Sequence, residues 1–540
     1  MPLLKIDELE IEVTPGTSVL TAALANGIEI PHYCYHPALE VVGSCRMCVV
    51  EVAGMAKLQV ACNTRIGNMP LERKVDGKYD MIVTTQSETV RKARQDTLEF
   101  LLLNHPLDCP VCDQAGECDL QDYSFRYGRA HSRFKEDKRV RAAEDLGADV
   151  VINQNRCIMC TRCVRFTREI SGTSELFVQQ RGYNAKISVM EDKPLDNLLA
   201  GNVTDICPVG ALLSKDYIHR NRIWNLDRQP SVCQQCSVGC NVDIFHQNGE
   251  VFRISARENL RVNGHFICDI GRYSYHGYKQ LERVTSPMIR EGDDWREISW
   301  AGAFKEIFEK LGRKKSDKSN LIAGITSPFH TSETQFMFAR LMHDVLEERG
   351  IVGTLPLEEE DEIRFPGGFR ISGDRSPNRG GMEAVNPELS EDVIGDIKRQ
   401  KIRLMYVLDN SDHWVESAEW QEILLHLDFL VVQTFAMTSL AKRAHLLLPG
   451  AAPLEREGTL INDRGHIQWL RPALPLQGIS RQDWAIIMEV MNVLGKRVLN
   501  YSHVSEVLSE MGERISNYKD ITFFRLGTAG LNIDIQERAD

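Results

Sequence analysis

The sequence predicts a multidomain chain, α+β in its first half and α/β in its second. Three observations carry that expectation. A chain of 540 residues has the length for roughly three or four domains. All fifteen cysteines lie at or before Cys268, so the first half consumes thiols and the second does not. Beyond about Ser286, short branched apolar runs alternate with helical stretches, the pattern of a largely parallel sheet.

Composition narrows the function classes. A hydrophobic fraction of 43% is ample for a core, and a net charge of −12 argues against a nucleic-acid partner. No run approaches the roughly eighteen apolar residues of a membrane span. The first residues, Met1-Pro-Leu-Leu-Lys-Ile-Asp-Glu-Leu-Glu, carry acids where a signal peptide would be apolar. The expected location is cytoplasmic, or the cytoplasmic side of the inner membrane in a larger peripheral assembly. An odd cysteine count in a reducing compartment argues against a disulfide framework.

Residues 1–84 read as a small β-rich unit. Leu3–Ile6 and Leu9–Val13 flank an Asp7-Glu8 turn, Thr17–Asn26 reads as a helix stopped by Gly27, and Cys48–Val52 and Met55–Val60 read as strands joined at Ala53-Gly54. Cys34, Cys45, Cys48 and Cys62 lie around these elements in a C-x10-C-x2-C-x13-C spacing. Four thiolates suit a [2Fe–2S] cluster, although the first gap is longer than in the plant-type pattern. Small residues at Gly43 and Ser44 let backbone wrap closely around such a site. His32 and His36 flank Cys34 and read as ordinary loop residues, since four cysteines already suffice.

Residues 85–140 open with Thr85-Gln-Ser-Glu88, a capping-box pattern for a helix to about Leu103, with Val90, Thr97, Leu98, Leu101 and Leu102 on its apolar face. The helix delivers His105, Cys109, Cys112 and Cys118, spaced H-x3-C-x2-C-x5-C. Alone, this set fits one tetrahedral zinc or one iron–sulfur cluster with a single histidine ligand equally well. Arg126–Arg141 is rich in basic residues and reads as a solvated face.

Residues 141–222 carry Cys157, Cys160 and Cys163 with a remote Cys207-Pro208, a strong [4Fe–4S] pattern. Val164–Thr167 stand where a two-cluster ferredoxin would place another cysteine, so one cluster is expected. The neighbouring Arg156, Arg162 and Arg165 could tune it, but surface solvation is the commoner role for such side chains. Residues 223–285 carry Cys233, Cys236, Cys240 and Cys268, with Asn241–Ile254 reading as a hairpin turned at Asn248-Gly249. Four thiolates again suit a cubane, with zinc the alternative. The four sets use every cysteine and only the second needs a histidine. Four zinc sites is the less economical reading when one set is nearly diagnostic of a cubane.

In residues 286–540, Asn320–Ile325, Ile402–Leu408, Phe429–Val432 and His445–Leu448 read as strands. Thr331–Gly350, with a Ser332-x-x-Gln335 capping box, Trp420–Leu427 and Ile486–Leu494 read as helices. Leu355–Asn386 reads as a long loop, with Gly367-Gly368 and Gly380-Gly381 as turn glycines. There is no glycine-rich dinucleotide fingerprint after a strand and no P-loop.

The order of the four cysteine sets resembles that of the large iron–sulfur subunit of the complex I peripheral arm, in the NADH–quinone oxidoreductase family. Leu448-Pro449-Gly450, Glu455-Arg-Glu457-Gly458-Thr459-Leu-Ile-Asn462 and Arg481-Gln-Asp483-Trp484 resemble that subunit's C-terminal part more loosely. The resemblance implies a β-grasp [2Fe–2S] ferredoxin domain, a histidine-ligated [4Fe–4S] domain, a ferredoxin-type [4Fe–4S] domain and a molybdopterin-oxidoreductase-type [4Fe–4S] domain. A truncated, degenerate molybdopterin-oxidoreductase-like α/β domain would follow. One [2Fe–2S] and three [4Fe–4S] clusters are implied, the fourth off the main electron path. No molybdenum cofactor is expected, because no cysteine remains to ligate the metal.

The implied function is an electron relay. A flavoprotein NADH-oxidising subunit and its small [2Fe–2S] partner would supply single electrons, and a ferredoxin-like two-cluster subunit would accept them. No substrate site of its own, nucleic-acid partner or membrane span is expected. Equivalent relays in NAD-linked hydrogenases, formate dehydrogenases or electron-bifurcating complexes are the alternative. A molybdenum enzyme and a zinc-stabilised scaffold are the readings from other classes.

Overall fold

The computed structural model describes the chain except for residues 70–73, 313–320, 355–358, 387–388, 391, 401, 410–416, 496–497 and 534–540. Part of the expected 355–386 loop and the first residue of the expected Asn320–Ile325 strand lie outside the described residues. The chain divides into two compact units, Met1–Leu226 with Phe365–Phe369, and Asp227–Arg364 with Arg370–Asp540.

The first unit begins with β1 (Leu3–Ile6), β2 (Leu9–Glu12), α1 (Val19–Ala25), β3 (Val49–Val52), β4 (Gln59–Val60) and β5 (Met81–Thr84). They form one sheet in the order β2-β1-β5-β3-β4. The Asp7-Glu8 turn forms as expected, with Asp7 at φ 51°, and Ser18 caps α1. Sequence periodicity misses β5, which lies at the sheet's centre, parallel to β1 and antiparallel to β3. The strand expected over Met55–Val60 shrinks to two residues.

The next helix, α2 (Glu88–Leu102), is capped by Ser87 rather than Thr85. Thr85 is engaged elsewhere: its amide and hydroxyl both donate to the Asp7 carboxylate, at 2.7 and 2.5 Å. The turn of the first hairpin thus fixes where α2 begins. Its inner face carries a fully buried Arg94 between Val90 and Leu98, with Nη2 donating to the Val49 carbonyl at 3.0 Å.

The rest of the unit comprises α3 (Asp119–Tyr127), β6 (Ala143–Asp145), β7 (Val150–Asn153), α4 (Arg162–Glu169), β8 (Leu176–Gln179), β9 (Lys186–Val189), α5 (Asn202–Ile206) and β10 (Leu212–Ser214). The order β10-β7-β6 forms a small antiparallel sheet and β8–β9 a ribbon. The basic stretch 126–141 is largely exposed, with Arg126 paired to Glu29 and Arg129 to Asp96.

The second unit opens with β11 (Asp227–Val232), β12 (Asn241–Gln247) and β13 (Glu250–Ala256), an antiparallel sheet turned at Asn248-Gly249 as expected. Then follow α6 (Asp269–Arg272), α7 (Tyr275–Gln280), β14 (Met288–Glu291), β15 (Asp294–Glu297), α8 (Trp300–Ile307), β16 (Ile322–Thr326), α9 (Ser332–Arg340), β17 (Gly350–Thr354), β18 (Ile363–Arg364) and β19 (Arg370–Ile371). The chain ends with α10 (Arg379–Val385), α11 (Val393–Gln400), β20 (Leu404–Leu408), α12 (Ala418–Leu425), β21 (Phe429–Thr434), β22 (Leu446–Pro449), β23 (Gly458–Ile461), β24 (His466–Leu470), α13 (Asp483–Leu494), α14 (Val504–Arg514), α15 (Phe523–Leu526) and β25 (Leu531–Asn532).

Its main sheet runs β15-β14-β22-β21-β20-β16-β17, parallel from β22 to β17 with an antiparallel hairpin at one edge. Alternate strand residues feed two layers, as the two-residue period of a strand requires. Leu404, Tyr406, Phe429 and Val431 pack with α8, α9, α13 and α14, whereas Met405, Val407, Leu430 and Val432 pack with α11 and α12. The sheet is therefore buried on both faces, which is why its strands read as unbroken apolar runs.

Three expectations in this unit are corrected. The helix expected over Thr331–Gly350 is regular only to Arg340, then widens to a π turn over Leu341–Val345. Its cap is Thr331, because the Ser332 hydroxyl is committed to the Thr459 carbonyl at 3.1 Å. Gly350 does not stop the helix but opens β17. The segment 359–386 is not one loop: it holds the β18–β19 ribbon and α10. Gly380 and Gly381 lie in α10, and a Cβ on Gly381 would stand 2.2 Å from Asn378 Oδ1 and 2.5 Å from Ser332 Oγ. They are contact glycines rather than turn glycines: Gly381 lies where α10 meets the start of α9, and Gly380 where it meets Ile461 and Asn462 at the end of β23.

Candidate iron–sulfur sites

The first set is built on loops of the five-stranded sheet. Cys34 follows α1, Cys45 and Cys48 precede β3, and Cys62 follows β4. Gly43 at φ 61° and Arg46 at φ 58° wind the loop through left-handed backbone. Cys34, Cys48 and Cys62 are buried. The thiols lie within hydrogen-bonding reach: Cys45 and Cys62 bear on Cys34, and Cys62 on Cys48. Sharing protons this way pulls the Cys34 and Cys48 thiols below the usual range and pushes those of Cys45 and Cys62 above it. His32 and His36 act as loop residues, His32 Nδ1 pairing with the Ile30 carbonyl and His36 Nδ1 accepting from the Ala38 amide.

The second set spans the loop from α2 to α3. Cys118 is the N-cap residue of α3, Cys112 is buried and Cys109 is exposed. Burial pushes the Cys118 thiol up to about 11, and Cys112 rises for the same reason. His105 is largely withdrawn from solvent. Burial first, then the charges of Lys138 and Arg156, lowers its pKa to about 4, so the ring is the neutral form that binds metal. Its Nδ1 is buried without a hydrogen-bond partner among the described residues, a polar atom that a ligand would satisfy. The charged groups bearing on the ring are Lys138, Arg156 and Asp108. The three thiols bear on one another, Cys109 on Cys112 and Cys112 on Cys118.

The third set closes around a small cavity of ≈ 20 Å³. Cys157, Cys160, Cys163 and Cys207 all line it, together with apolar walls from Ile152 and Ile187. Met159 at φ 53° and Thr161 at φ 59° take the left-handed region without being glycine, which curls the C-x2-C-x2-C loop around one centre. Backbone amides of Val209, Ala211 and Leu212 are directed at the Cys207 sulfur, and the Met159 amide at Cys157 Sγ, at 3.4 Å. Burial drives the thiols of Cys157 and Cys160 up to about 12 and about 11. Such sulfurs become thiolates only against a compensating metal charge.

The fourth set lies in the second unit. Cys233 follows β11, Cys236 and Cys240 precede β12, and Cys268 is the N-cap residue of α6. All four bear on one another through Cys240, and Cys268 is raised to about 11 by burial. Gly271 completes the cradle: a Cβ there would stand 2.9 Å from Cys233 Sγ and 3.9 Å from Cys268 Sγ. Among the described residues, no three His, Cys, Asp or Glu side chains converge as ligands of a single ion.

In the first unit the three sets are tied together, and the third touches both of the others. Arg165 Nη2 donates to the Cys34 carbonyl, and Arg162 Nη2 to the Tyr35 carbonyl at 2.6 Å, joining the third set to the first. Arg156 forks onto Asp108 Oδ2 with two bonds of 3.1 Å, and a Cβ on Gly210 would reach within 2.2 Å of Cys112 Sγ, joining the third set to the second. These arginines are buried, at 7%, 8% and 4% exposure for Arg156, Arg162 and Arg165, which corrects the solvated-surface reading. Tyr33, fully buried and tilted against Tyr123 with ring centroids 5.4 Å apart, is another neighbour the sequence did not single out, lying by Cys118 and Cys45.

Five family models match in series. They are a 2Fe–2S iron–sulfur cluster binding domain at residues 3–68, the NADH-ubiquinone oxidoreductase-G iron–sulfur binding region at 94–133 and the NADH-quinone oxidoreductase subunit 3 ferredoxin-like domain at 147–213. The molybdopterin oxidoreductase Fe4S4 domain follows at 227–278, and molybdopterin oxidoreductase at 283–354 and 368–493. The G subunit of the NADH-quinone oxidoreductase of Rickettsia felis is 40% identical over 339 residues, 63% of this chain and 48% of the relative. The NADH-ubiquinone oxidoreductase 75 kDa subunit of Reclinomonas americana is 38% identical over 372 residues, 68% of this chain and 52% of the relative. The G subunit of the Mycobacterium bovis enzyme is 39% identical over 331 residues, 60% and 40%. This chain therefore spans about half the length of the curated relatives it matches. Among solved structures, a chain of an NAD+-reducing [NiFe]-hydrogenase in the H2-reduced state matches at 33% identity and TM-score 0.36, covering 41% of this chain and 91% of that one. No described helix is long and apolar enough to cross a membrane. Over 63% of its length the chain is a homologue of the NADH-quinone oxidoreductase G subunit, and it carries in order the iron–sulfur domains and the molybdopterin-oxidoreductase domain.

Proposed function

We propose that this chain is an electron-relay subunit of an NADH-oxidising complex of the NADH–quinone oxidoreductase type. In this reading Cys34, Cys45, Cys48 and Cys62 hold one [2Fe–2S] cluster. His105 with Cys109, Cys112 and Cys118, then Cys157 with Cys160, Cys163 and Cys207, then Cys233 with Cys236, Cys240 and Cys268, hold three [4Fe–4S] clusters. The observation that carries the reading is the direct linkage of three thiol sets inside one unit, through Arg156, Arg162, Arg165 and the Cys207–Gly210 segment.

A bound iron–sulfur cluster supplies one-electron redox chemistry at a potential set by net charge, sulfur hydrogen bonds and burial. This chain's residues set those conditions. Ile152 and Ile187 exclude water from the third set, and the amides after Cys207 donate to its sulfur. Lys138 holds the second loop by donating to the His105 carbonyl at 2.6 Å. The exposed Cys109, flanked by exposed Leu107 and Val111, leaves the second set accessible to a partner. A flavoprotein with its small [2Fe–2S] partner is the proposed donor and a ferredoxin-like two-cluster subunit the proposed acceptor. Every cysteine is assigned, so molybdenum ligation by this chain is not part of the proposal.

The test is metal and sulfide analysis of the full chain, followed by EPR redox titration of wild type and His105→Cys. Iron with acid-labile sulfide is expected. One cubane of His105→Cys should persist at a lower potential, because a thiolate replaces a neutral ring. Stoichiometric zinc without sulfide would overturn the relay reading, and an unchanged set of potentials would overturn His105 as a ligand.

A further inference from the structure

Helix α4 carries two arginines between two thiol sets. Arg162 and Arg165 are one helical turn apart, so they share a face. Arg162 Nη1 donates to the Ile206 carbonyl at 3.1 Å, next to Cys207 of the third set, while Nη2 reaches the Tyr35 carbonyl, next to Cys34 of the first. Arg165 donates to the carbonyls of Glu40 and Cys34. All four bonds end on backbone carbonyls, and both Nε atoms are buried without a partner among the described residues. The carboxylate that bears on Arg165 is Glu169, itself engaged by Arg168 and by the Glu40 amide.

Asp119 bears on Arg162 as Glu169 does on Arg165, but neither arginine forms an ion pair with a carboxylate among the described residues, so much of the charge that compensates these buried guanidinium groups must come from elsewhere close by. The thiols that bear on Arg165 are Cys34 and Cys160, one from each set. Four thiolates around a cluster core leave net negative charge at each site, and each site gains more on reduction. We propose that Arg162 and Arg165 are positioning residues that serve as a shared counter-cation for the Cys34 and Cys157 sites, raising the reduction potential of both together. The proposal rests on the relay reading above. It goes further, because it assigns to two non-ligand residues a common setting of two potentials.

The experiment is EPR-monitored redox titration of the cluster-loaded full chain as wild type, Arg165→Gln and Arg165→Lys. Arg165→Gln is expected to favour the oxidised form about tenfold at both sites, ~59 mV lower for a one-electron couple. Arg165→Lys, which keeps the charge but loses the planar fork, is expected to keep both potentials near wild type. A shift at one site alone, at neither, or of equal size in Gln and Lys overturns the proposal, since a purely structural arginine would make the two variants alike. If Arg165→Gln loses either cluster, Arg165→Lys decides: wild-type potentials support the proposal, and lowered potentials or lost clusters overturn it. Absence of either signal from wild type overturns the relay reading and this proposal with it.

Discussion

Gly210 shows how close the second and third sets lie at the residue scale. Its missing side chain leaves room for Cys112 Sγ, and Gln114 Cβ would stand 2.9 Å from an added Cβ. Gly210→Ala is therefore expected to displace the Cys112 sulfur and remove the second cluster's EPR signal, with iron content falling by that one site and far-UV circular dichroism unchanged. Full loading in the variant would show that Cys112 moves freely and is not held as a ligand. The candidate ligands were legible because thiol and imidazole chemistry is local, and C-x2-C-x2-C places three sulfurs on one loop whatever packs around it. The burial of Arg94, Arg156, Arg162 and Arg165 was not legible. Charged side chains are read as solvated by default, and what covers these four comes from segments far away in sequence.

Elements show the same division. The branched runs of β16, β20, β21 and β22 announced themselves because both faces of a parallel sheet are buried. The centre strand β5 did not, since four residues after a turn carry little periodicity. Helix α9 is buried on every side, so no polar face betrays its orientation. That burial has a measurable consequence at its first turn. Glu333 Oε2 accepts from the Thr459 amide at 2.7 Å, yet burial raises its carboxyl from the ordinary 4.5 to about 7. Between those two values the unfolded chain releases the proton while the folded chain keeps it, so stability falls as pH rises through the window and levels above it. Glu333→Gln keeps the acceptor and removes the titration. The variant is expected to match wild type near pH 4.5 and to exceed it by about 3 kcal/mol above pH 7, read from unfolding of the α/β unit at the two pH values. A wild type that gains on the variant with rising pH would show Glu333 to be charged and stabilised by its helix N-terminus.

For the whole molecule, the relay reading separates the sets by unit. Cys207 belongs to the set that links the other two in the first unit, whereas Cys233 lies with its three partners in the second. In an assembled complex, Cys207→Ser is expected to lower NADH-driven turnover at least tenfold. Cys233→Ser should lower yield or thermal stability and leave turnover per assembled complex within about twofold. Equal loss of turnover in both would place the fourth set on the electron path.

The sequence by itself determined the candidate ligands, the confinement of all fifteen cysteines to the first half and the change to an α/β architecture past Ser286. Each follows from short-range chemistry: side-chain type, ligand spacing and strand or helix period. Only the tertiary structure decided that the third set touches both the first and the second, that three arginines are buried among them, and that Ser87 and Thr331 are the caps. Those outcomes depend on which groups compete for a hydroxyl, a carbonyl or a buried charge once remote segments meet, and spacing along a chain does not encode that competition.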